Sequence, residues 1–435
     1  MLPLPPNATV QYAAGRLRSK LVMMMIDIWE EHFSATELRC RHCRTILAVQ
    51  DTTVVDYSGL TISTRGERSG RKIPAHVSLA VGGGRSLGLL KIENDFRAAV
   101  PTGSKRRRME SARLRWLRGL DWAQQLGRAC PDSRIISVCA REGDFWDMYA
   151  TQAANPEAAG LLVRVNSENG HQVVADGETC DLHSYMTRQE PVGWQTIHMP
   201  ARARIVAGMG KMARARRPKR TVKLQLRVAR IALKAPGRRR KTLPLLAVLA
   251  SEPSTPPKGA KRLHWLLLST DGTADRSGAE LVLERYAGTW AIEEYFRAFK
   301  RAARSKNRFF GEPDDLRKCL TNDALFSWRI FDILRAAKDE PDRLALDFFA
   351  QDELVTLYFC MENVGFNDVS QSLSADLSIR QAAIDVGRYS GFLPSKLQPL
   401  PGPEKMRQSM TKLEPAVFMY RALKEENPFD SSDSQ

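Results

Sequence analysis

Apolar and polar positions fall in blocks that predict strands early in the chain and helices late in it. Residues 46–98 hold three apolar runs, Ile46–Gln50, His76–Ala80 and Leu87–Ile92, with turn residues between them that include Gly82, Gly83 and Gly84. Short apolar runs between turn signals predict strands of an antiparallel meander. Helices are predicted near residues 13–34, with Met23, Met24, Met25, Ile26 and Trp29, and over 103–128, with Leu114, Trp116, Leu117, Leu120 and Trp122. Arg134–Phe145 predicts a fourth strand entering a helix. Shorter β-like runs follow at Gly160–Val163, Val222–Leu226 and Leu243–Leu249, and His264–Thr270 predicts a fifth core strand. Beyond residue 310 the pattern is helical, with Phe326, Trp328, Ile330, Phe331 and Leu334 forming a core stripe.

The stretch from Tyr286 to Lys300 carries two helical stripes. Ile292, Phe296, Phe299 and Ala303 form an apolar one that can dock on a sheet. Trp290, Glu293, Arg297 and Lys300 form a second on the other side, so one carboxylate, two cations and an indole are presented together. Such a face is either a solvated helix surface or a device that holds a metal ion beside a polyanion.

Composition sharpens this choice. The net charge is +17, and residues 201–241 carry sixteen Lys or Arg with no Asp or Glu, so the rest of the chain is close to neutral. An excess gathered in one segment favours a polyanionic partner over a solvated face, because Lys and Arg neutralise phosphates without regard to sequence. The run Lys105–Arg108 is equally well a solvated loop or a second phosphate contact. No apolar run reaches the roughly 18 residues that spanning a bilayer requires, and the first residues lack the pattern of a secretory signal. Seven scattered cysteines suit a reducing compartment. Cys40-Arg-His-Cys43 has zinc-ligand spacing, but no second Cys or His pair lies nearby, so ordinary thiols are the better reading.

The stretch from Tyr286 to Lys300 resembles the Tyr-x2-Arg-x3-Glu-x6-Lys signature of a group of bacterial insertion-sequence transposases, cut-and-paste enzymes with an Asp-Asp-Glu active site on a ribonuclease H-like core. Tyr286, Glu293 and Lys300 match, and Thr289 stands where the signature has Arg. Leu47-Ala-Val-Gln-Asp51-Thr-Thr resembles the context of the family's first catalytic Asp, although an isolated Asp is more often a turn or cap residue. Arg141, Glu142 and Asp144 match the Asp-Arg-Glu-x-Asp motif, whose catalytic Asp is here Ala140.

The resemblance implies an α/β fold: a ribonuclease H-like mixed five-stranded sheet flanked by helices, a β-rich insertion domain and a helical C-terminal region. It divides the chain into a short N-terminal helical region (1–45), with room for only part of an end-binding domain, two core parts (46–154 and 263–340), a basic insertion (155–262) and a C-terminal region (341–435) that helps copies pair. It implies Asp51 and Glu293 as ligands of Mg²⁺ or Mn²⁺, with the second Asp missing at position 140. Tyr286, Thr289, Trp290, Arg297, Lys300, Trp265 and Arg141 become DNA contacts, with Trp265 receiving a base flipped from the duplex; without the resemblance each Trp is better read as core packing. The partners implied are double-stranded DNA, as transposon ends and target, and a second copy on that DNA, in the bacterial cytoplasm at the nucleoid. Two Mg²⁺ ions about 3.5–4 Å apart serve such strand transfer, and Ala140 offers neither ion an oxygen. The expectation is therefore a transposase that cuts little or not at all, or a non-catalytic relative that acts as an inhibitor or accessory subunit. An RNA-directed protein on the same core is a remoter reading.

Overall fold

The computed structural model describes residues 29–56, 72–94, 105–199, 202–205, 214–217, 220–237, 241–256, 260, 262–302, 313–362 and 376–425. The helix predicted near residues 13–34 is described from residue 29 and runs to 41 (α1). Met23 to Ile26 lie outside the described residues, as do Ala303 and Glu312 and the side chains of Lys105–Arg108 and of residues 200–219. The chain is mixed α/β and forms two compact units, Met1–Thr53 with Pro74–Ile292, and Val54–Ile73 with Glu293–Gln435.

The first unit is built on one sheet. Its leading strands are β1 (Thr45–Asp56), β2 (Lys72–Gly82), β3 (Arg85–Asn94), β4 (Arg134–Cys139) and β5 (Gly160–Arg164). They stand in the order β3-β2-β1-β4-β5. β2 and β3 form an antiparallel hairpin, while β4 runs parallel to both β1 and β5. Parallel neighbours need crossover connections. Helix α2 (Lys105–Ala129) leads into β4, and α3 (Trp146–Ala154) joins β4 to β5.

Helix α4 (Leu182–Arg188) and further strands follow: β6 (Gln172–Ala175), β7 (Glu178–Asp181), β8 (Gly193–Met199), β9 (Arg202–Ile205), β10 (Arg214–Arg217), β11 (Arg220–Lys234), β12 (Thr242–Ser251) and β13 (His264–Ser269). The sheet continues from β5 as β13-β12-β11-β6-β7, with β8 also on β11, and reaches eleven strands. Trp116 and Leu120 of α2, Met148 and Tyr149 of α3, and Leu182 and Met186 of α4 pack with Leu161, Val163, Leu249 and Leu268 of the sheet. A second core joins Ile46 and Ala48 to Ala123 and Leu126 of α2.

One expectation is corrected here. The fifth strand, the parallel neighbour of β4, is Gly160–Arg164 and not His264–Thr270; β13 joins next and antiparallel. The strands between β5 and β13 extend the same sheet, apart from the pair β9–β10. The first four residues of β5 are all buried, as a strand covered on both faces requires. A short apolar run does not declare which strand it will pair with.

Helix α5 (Arg276–Ala287) closes the first unit and α6 (Trp290–Ala302) follows it. The second unit is helical where described. Helices α7 (Pro313–Asp339), α8 (Gln351–Glu362), α9 (Ile379–Arg388) and α10 (Pro403–Glu425) share a core containing Ile330, Ile333, Leu354, Leu357, Val386, Met406 and Met410. Tyr295 of α6 stacks on Phe299 and meets Phe331 edge-on, and its hydroxyl donates to Ala324 O at 3.2 Å. No helix among the described residues is long and apolar enough to cross a membrane.

Candidate active site and nucleic-acid interface

The parallel ladder between β1 and β4 ends at the pair Gln50↔Cys139. Asp51, midway along β1, and Ala140, the first residue after β4, directly follow that pair, so the structure brings these two candidates together where the β1–β4 ladder stops. Ala140 is half-buried and extended (φ −72°, ψ −178°), and it caps a 3₁₀ turn over Arg141–Gly143. Asp51 is half-buried, and its Oδ1 accepts the Thr52 N–H at 2.7 Å.

Side chains alternate across a strand, so Gln50 and Thr52 face away from Asp51. They meet His76: Thr52 Oγ1 lies 2.9 Å from His76 Nδ1. The Gln50 amide nitrogen reaches His76 Nε2 at 3.3 Å, and its oxygen accepts from Ser137 Oγ at 2.6 Å and Leu120 N at 3.1 Å. This network fixes the end of the β1–β4 ladder from the α2 side. Burial, reinforced by the Arg115 charge, lowers the pKa of His76 to about 3, so the ring is neutral.

His76 makes a pH prediction. Its folded pKa lies below the ordinary 6.5, so the stability it contributes is complete above pH 6.5 and is lost as pH falls toward 3. The loss is about 1.4 kcal/mol per pH unit, or about 3 kcal/mol by pH 4.5. Urea denaturation between pH 8 and 4.5 should show this slope, and His76→Gln should flatten it. An equal slope in the variant would assign the acid response to other groups.

After position 140 the chain is locked by Asp144, a buried carboxylate. It accepts from Tyr149 Oη at 2.6 Å, Asn166 N at 2.8 Å, Asn169 Nδ2 at 2.9 Å and His171 Nε2 at 2.8 Å. Asp144 therefore matches its motif as a structural anchor and is not available as a substitute ligand. Arg141 and Glu142 are exposed on the turn. Gly143 has no room for a side chain, because a Cβ would stand 2.7 Å from Cys139 Cβ and 3.0 Å from Trp116 Cε3.

The face of β1 that carries Leu47 meets the turn between α5 and α6. A Cβ on Gly288 would fall 2.9 Å from Leu47 Cδ1, and by alternation Asp51 lies on the same face as Leu47. Thr289 closes that turn, with its N–H (3.1 Å) and its hydroxyl (2.7 Å) both donating to Tyr286 O. The residue at the signature's Arg position is thus used internally. Glu293 lies in the first turn of α6 and is half-buried, while Arg297 and Lys300 are exposed and Ile292, Phe296 and Phe299 are buried. Arg297 pairs with Glu294 at 3.2 Å.

Trp265 is 5% exposed and packs edge-on against Tyr286 at 5.2 Å and Trp290 at 6.3 Å. An open platform for a base is not what Trp265 presents; it belongs to a packed aromatic cluster in which only Trp290 is half-exposed. The exposed indole of the first unit is Trp194, which sequence reasoning missed. The alternation of Trp194, Thr196 and His198 with Ile197 and Met199 was the signal available.

The donor set does not fit a two-ion centre. Position 140 supplies a methyl group, and among the described residues no group of three or more His, Cys, Asp or Glu stands together as a metal cage. Cys40 is buried and its thiol is pushed up to about 12, by burial first and then by the Cys130 and Cys43 thiols.

No protein-family model matches the chain. Among solved structures it is similar to the piggyBac transposase synaptic complex with hairpin DNA, at 11% sequence identity and a TM-score of 0.31, over 69% of this chain and 49% of that one. The chain therefore spans about half the length of that transposase. Likeness of that degree leaves the assignment to the residues themselves.

Proposed function

We propose that the chain is a DNA-binding protein of the Asp-Asp-Glu transposase kind, related to the bacterial insertion-sequence group, that holds transposon ends and cleaves them poorly or not at all. The observation that carries this reading is the placement of Asp51 and Ala140 just past the last β1–β4 pair. Two aspartates just past the end of that ladder could share metal ions; one aspartate and a methyl cannot. The run β3-β2-β1-β4-β5 supports a ribonuclease H-like core. Glu293 is the third member of the triad that the sequence resemblance implies, and Lys300, Arg297, Arg141 and Trp290 are its phosphate and base contacts, with Tyr286 packed behind them in the aromatic cluster. Thr289, bonded to Tyr286 O, gives up the charge-assisted phosphate bond an Arg would make. Both departures favour retention of binding over retention of cutting. Mg²⁺ or Mn²⁺ and a homodimer on the DNA belong to the same reading.

Titration of a labelled duplex at rising salt tests it. About four phosphate contacts give a slope of log K against log [salt] of roughly −4, with no Mg²⁺-dependent nicking. A flat slope or absent binding overturns the DNA assignment. Nicking by the unsubstituted chain overturns the incomplete triad.

A further inference from the structure

Two histidines that the candidate active site does not use meet at their ring tips. His183 stands in the first turn of α4, and His264 opens β13. Their Nε2 atoms lie 2.8 Å apart, with ring centroids at 5.0 Å. Two imidazole nitrogens so close share a proton, so at least one ring is neutral.

Local structure brings the pair together. Helix α4 turns Leu182, Tyr185 and Met186 into the core and leaves His183 exposed beside them. Leu266 and Leu268 of β13 belong to the same core, and by alternation His264 lies on their face of the strand. The β12–β13 ladder ends at the pair Ser251↔His264, and there the covered face gives way to water, so His264 is exposed. Asp181 caps α4 by accepting the Ser184 N–H at 2.8 Å, which sets the backbone that carries His183. That bond first, and the His183 charge in smaller part, hold the Asp181 carboxyl below its usual pKa, so a negative charge stands near the pair. Burial lowers the pKa of His264, and the His183 and Arg164 charges lower it further, so this ring is neutral at neutral pH.

We propose that His183 and His264 chelate one divalent transition-metal ion of the class that imidazole prefers, Cu²⁺ or Ni²⁺. The ion takes the place of the shared proton. Two nitrogens each about 2.0–2.1 Å from one ion, and at right angles about it, stand about 2.9 Å apart, close to the spacing of the pair. The tetrahedral angle of zinc would need about 3.3 Å, whereas tetragonal sites are those of Cu²⁺ and Ni²⁺. Both rings are exposed, so each can swing until its lone pair points at the ion, and water fills the other positions. Arg164 opposes a cation there and Asp181 favours one. The ion would tie together two residues 81 apart in the chain, and a metal clip across a long loop is the kind that stabilises most. The site uses imidazoles in place of carboxylates and does not depend on DNA as partner.

Calorimetric titration of the full chain with Ni²⁺ at neutral pH, in excess Mg²⁺, is the test. Mg²⁺ takes oxygen ligands and does not compete. His183→Gln and His264→Gln should each weaken binding at least about tenfold, the loss that removal of a group behind a ligand already causes. His198→Gln, which removes an exposed histidine of β8, should leave it unchanged. Electron paramagnetic resonance of the Cu²⁺ form should show coupling to two imidazole nitrogens, and to one in either variant. Without metal the variants should unfold in urea at the parent's midpoint; saturating Ni²⁺ should raise the midpoint of the parent most. A parent that binds no Ni²⁺, variants that bind it as the parent does, or a Cu²⁺ spectrum without nitrogen coupling overturns the site. Each readout works without DNA, so a failure here and a failure of the DNA reading are told apart.

Discussion

On the proposed function, Ala140→Asp is expected to give a chain that nicks duplex DNA in Mg²⁺ where the unsubstituted chain leaves it intact, with a rate gain of about a thousandfold or more. The residue is already extended, half-buried and next to the Gln50↔Cys139 pair, so a carboxylate there needs no change of backbone. Metal stabilisation of the reacting oxygens supplies several kcal/mol, and about 4 kcal/mol corresponds to a factor of a thousand. Conversion of supercoiled plasmid to the nicked form measures the gain, and Mn²⁺ binding followed by electron paramagnetic resonance gives a readout independent of cleavage. Asp51→Asn or Glu293→Gln in the same background should abolish both responses. If metal affinity and nicking stay at the level of the unsubstituted chain, position 140 is not the missing ligand, and the assignment of Asp51 falls with it.

The second large effect is on stability. Asp144→Ala would leave the Tyr149 hydroxyl, the Asn166 N–H, the Asn169 amide and the His171 ring without their shared acceptor. Tyr149 is buried in the core that packs β5 against α3, Asn166 and His171 are half-buried, and Asn169 is exposed. A buried donor left unpaired costs about 1–3 kcal/mol, and relaxation recovers part of a four-donor loss. The expected cost is about 4 kcal/mol, at the upper end for a single substitution. Urea denaturation measures it. Asp144→Asn, which keeps the shape but turns a donor toward donors, should lose about half as much. A cost below about 1 kcal/mol in Asp144→Ala would show that the network is replaceable by water, and the carboxylate would then need another explanation.

Much of the sheet was legible in the sequence because β1 to β4 lie in runs whose length and turn signals are local. Helix α6 was legible for the same reason, and its apolar stripe is buried at Ile292, Phe296 and Phe299. The buried face is wider than that stripe, since Tyr295 and Ala298 are also covered. What could not be read was pairing between distant segments. Gly160–Arg164 looks like any short apolar run until β4 stands beside it, and His264–Ser269 carries the same kind of signal one strand further out. At the candidate site the sequence offered Asp51 and Ala140 as motif positions, but the supporting layer of Gln50, Thr52, Ser137 and His76 draws on three strands and has no local pattern. The burial of Trp265 was not legible either, because it depends on Tyr286 and Trp290, which lie 21 and 25 residues further along the chain.

The long excursion between β5 and β13 has a consequence for synthesis. β5 gains its antiparallel neighbour, Leu162↔Ser269, only when the far side of the insertion has been made. At about 5–20 residues per second, the growing chain carries an uncovered apolar strand edge for on the order of ten seconds. Such edges template pairing with other chains. Yield in a fast-translating host should therefore depend on how early a chaperone reaches the nascent chain, more than on the stability of the finished protein.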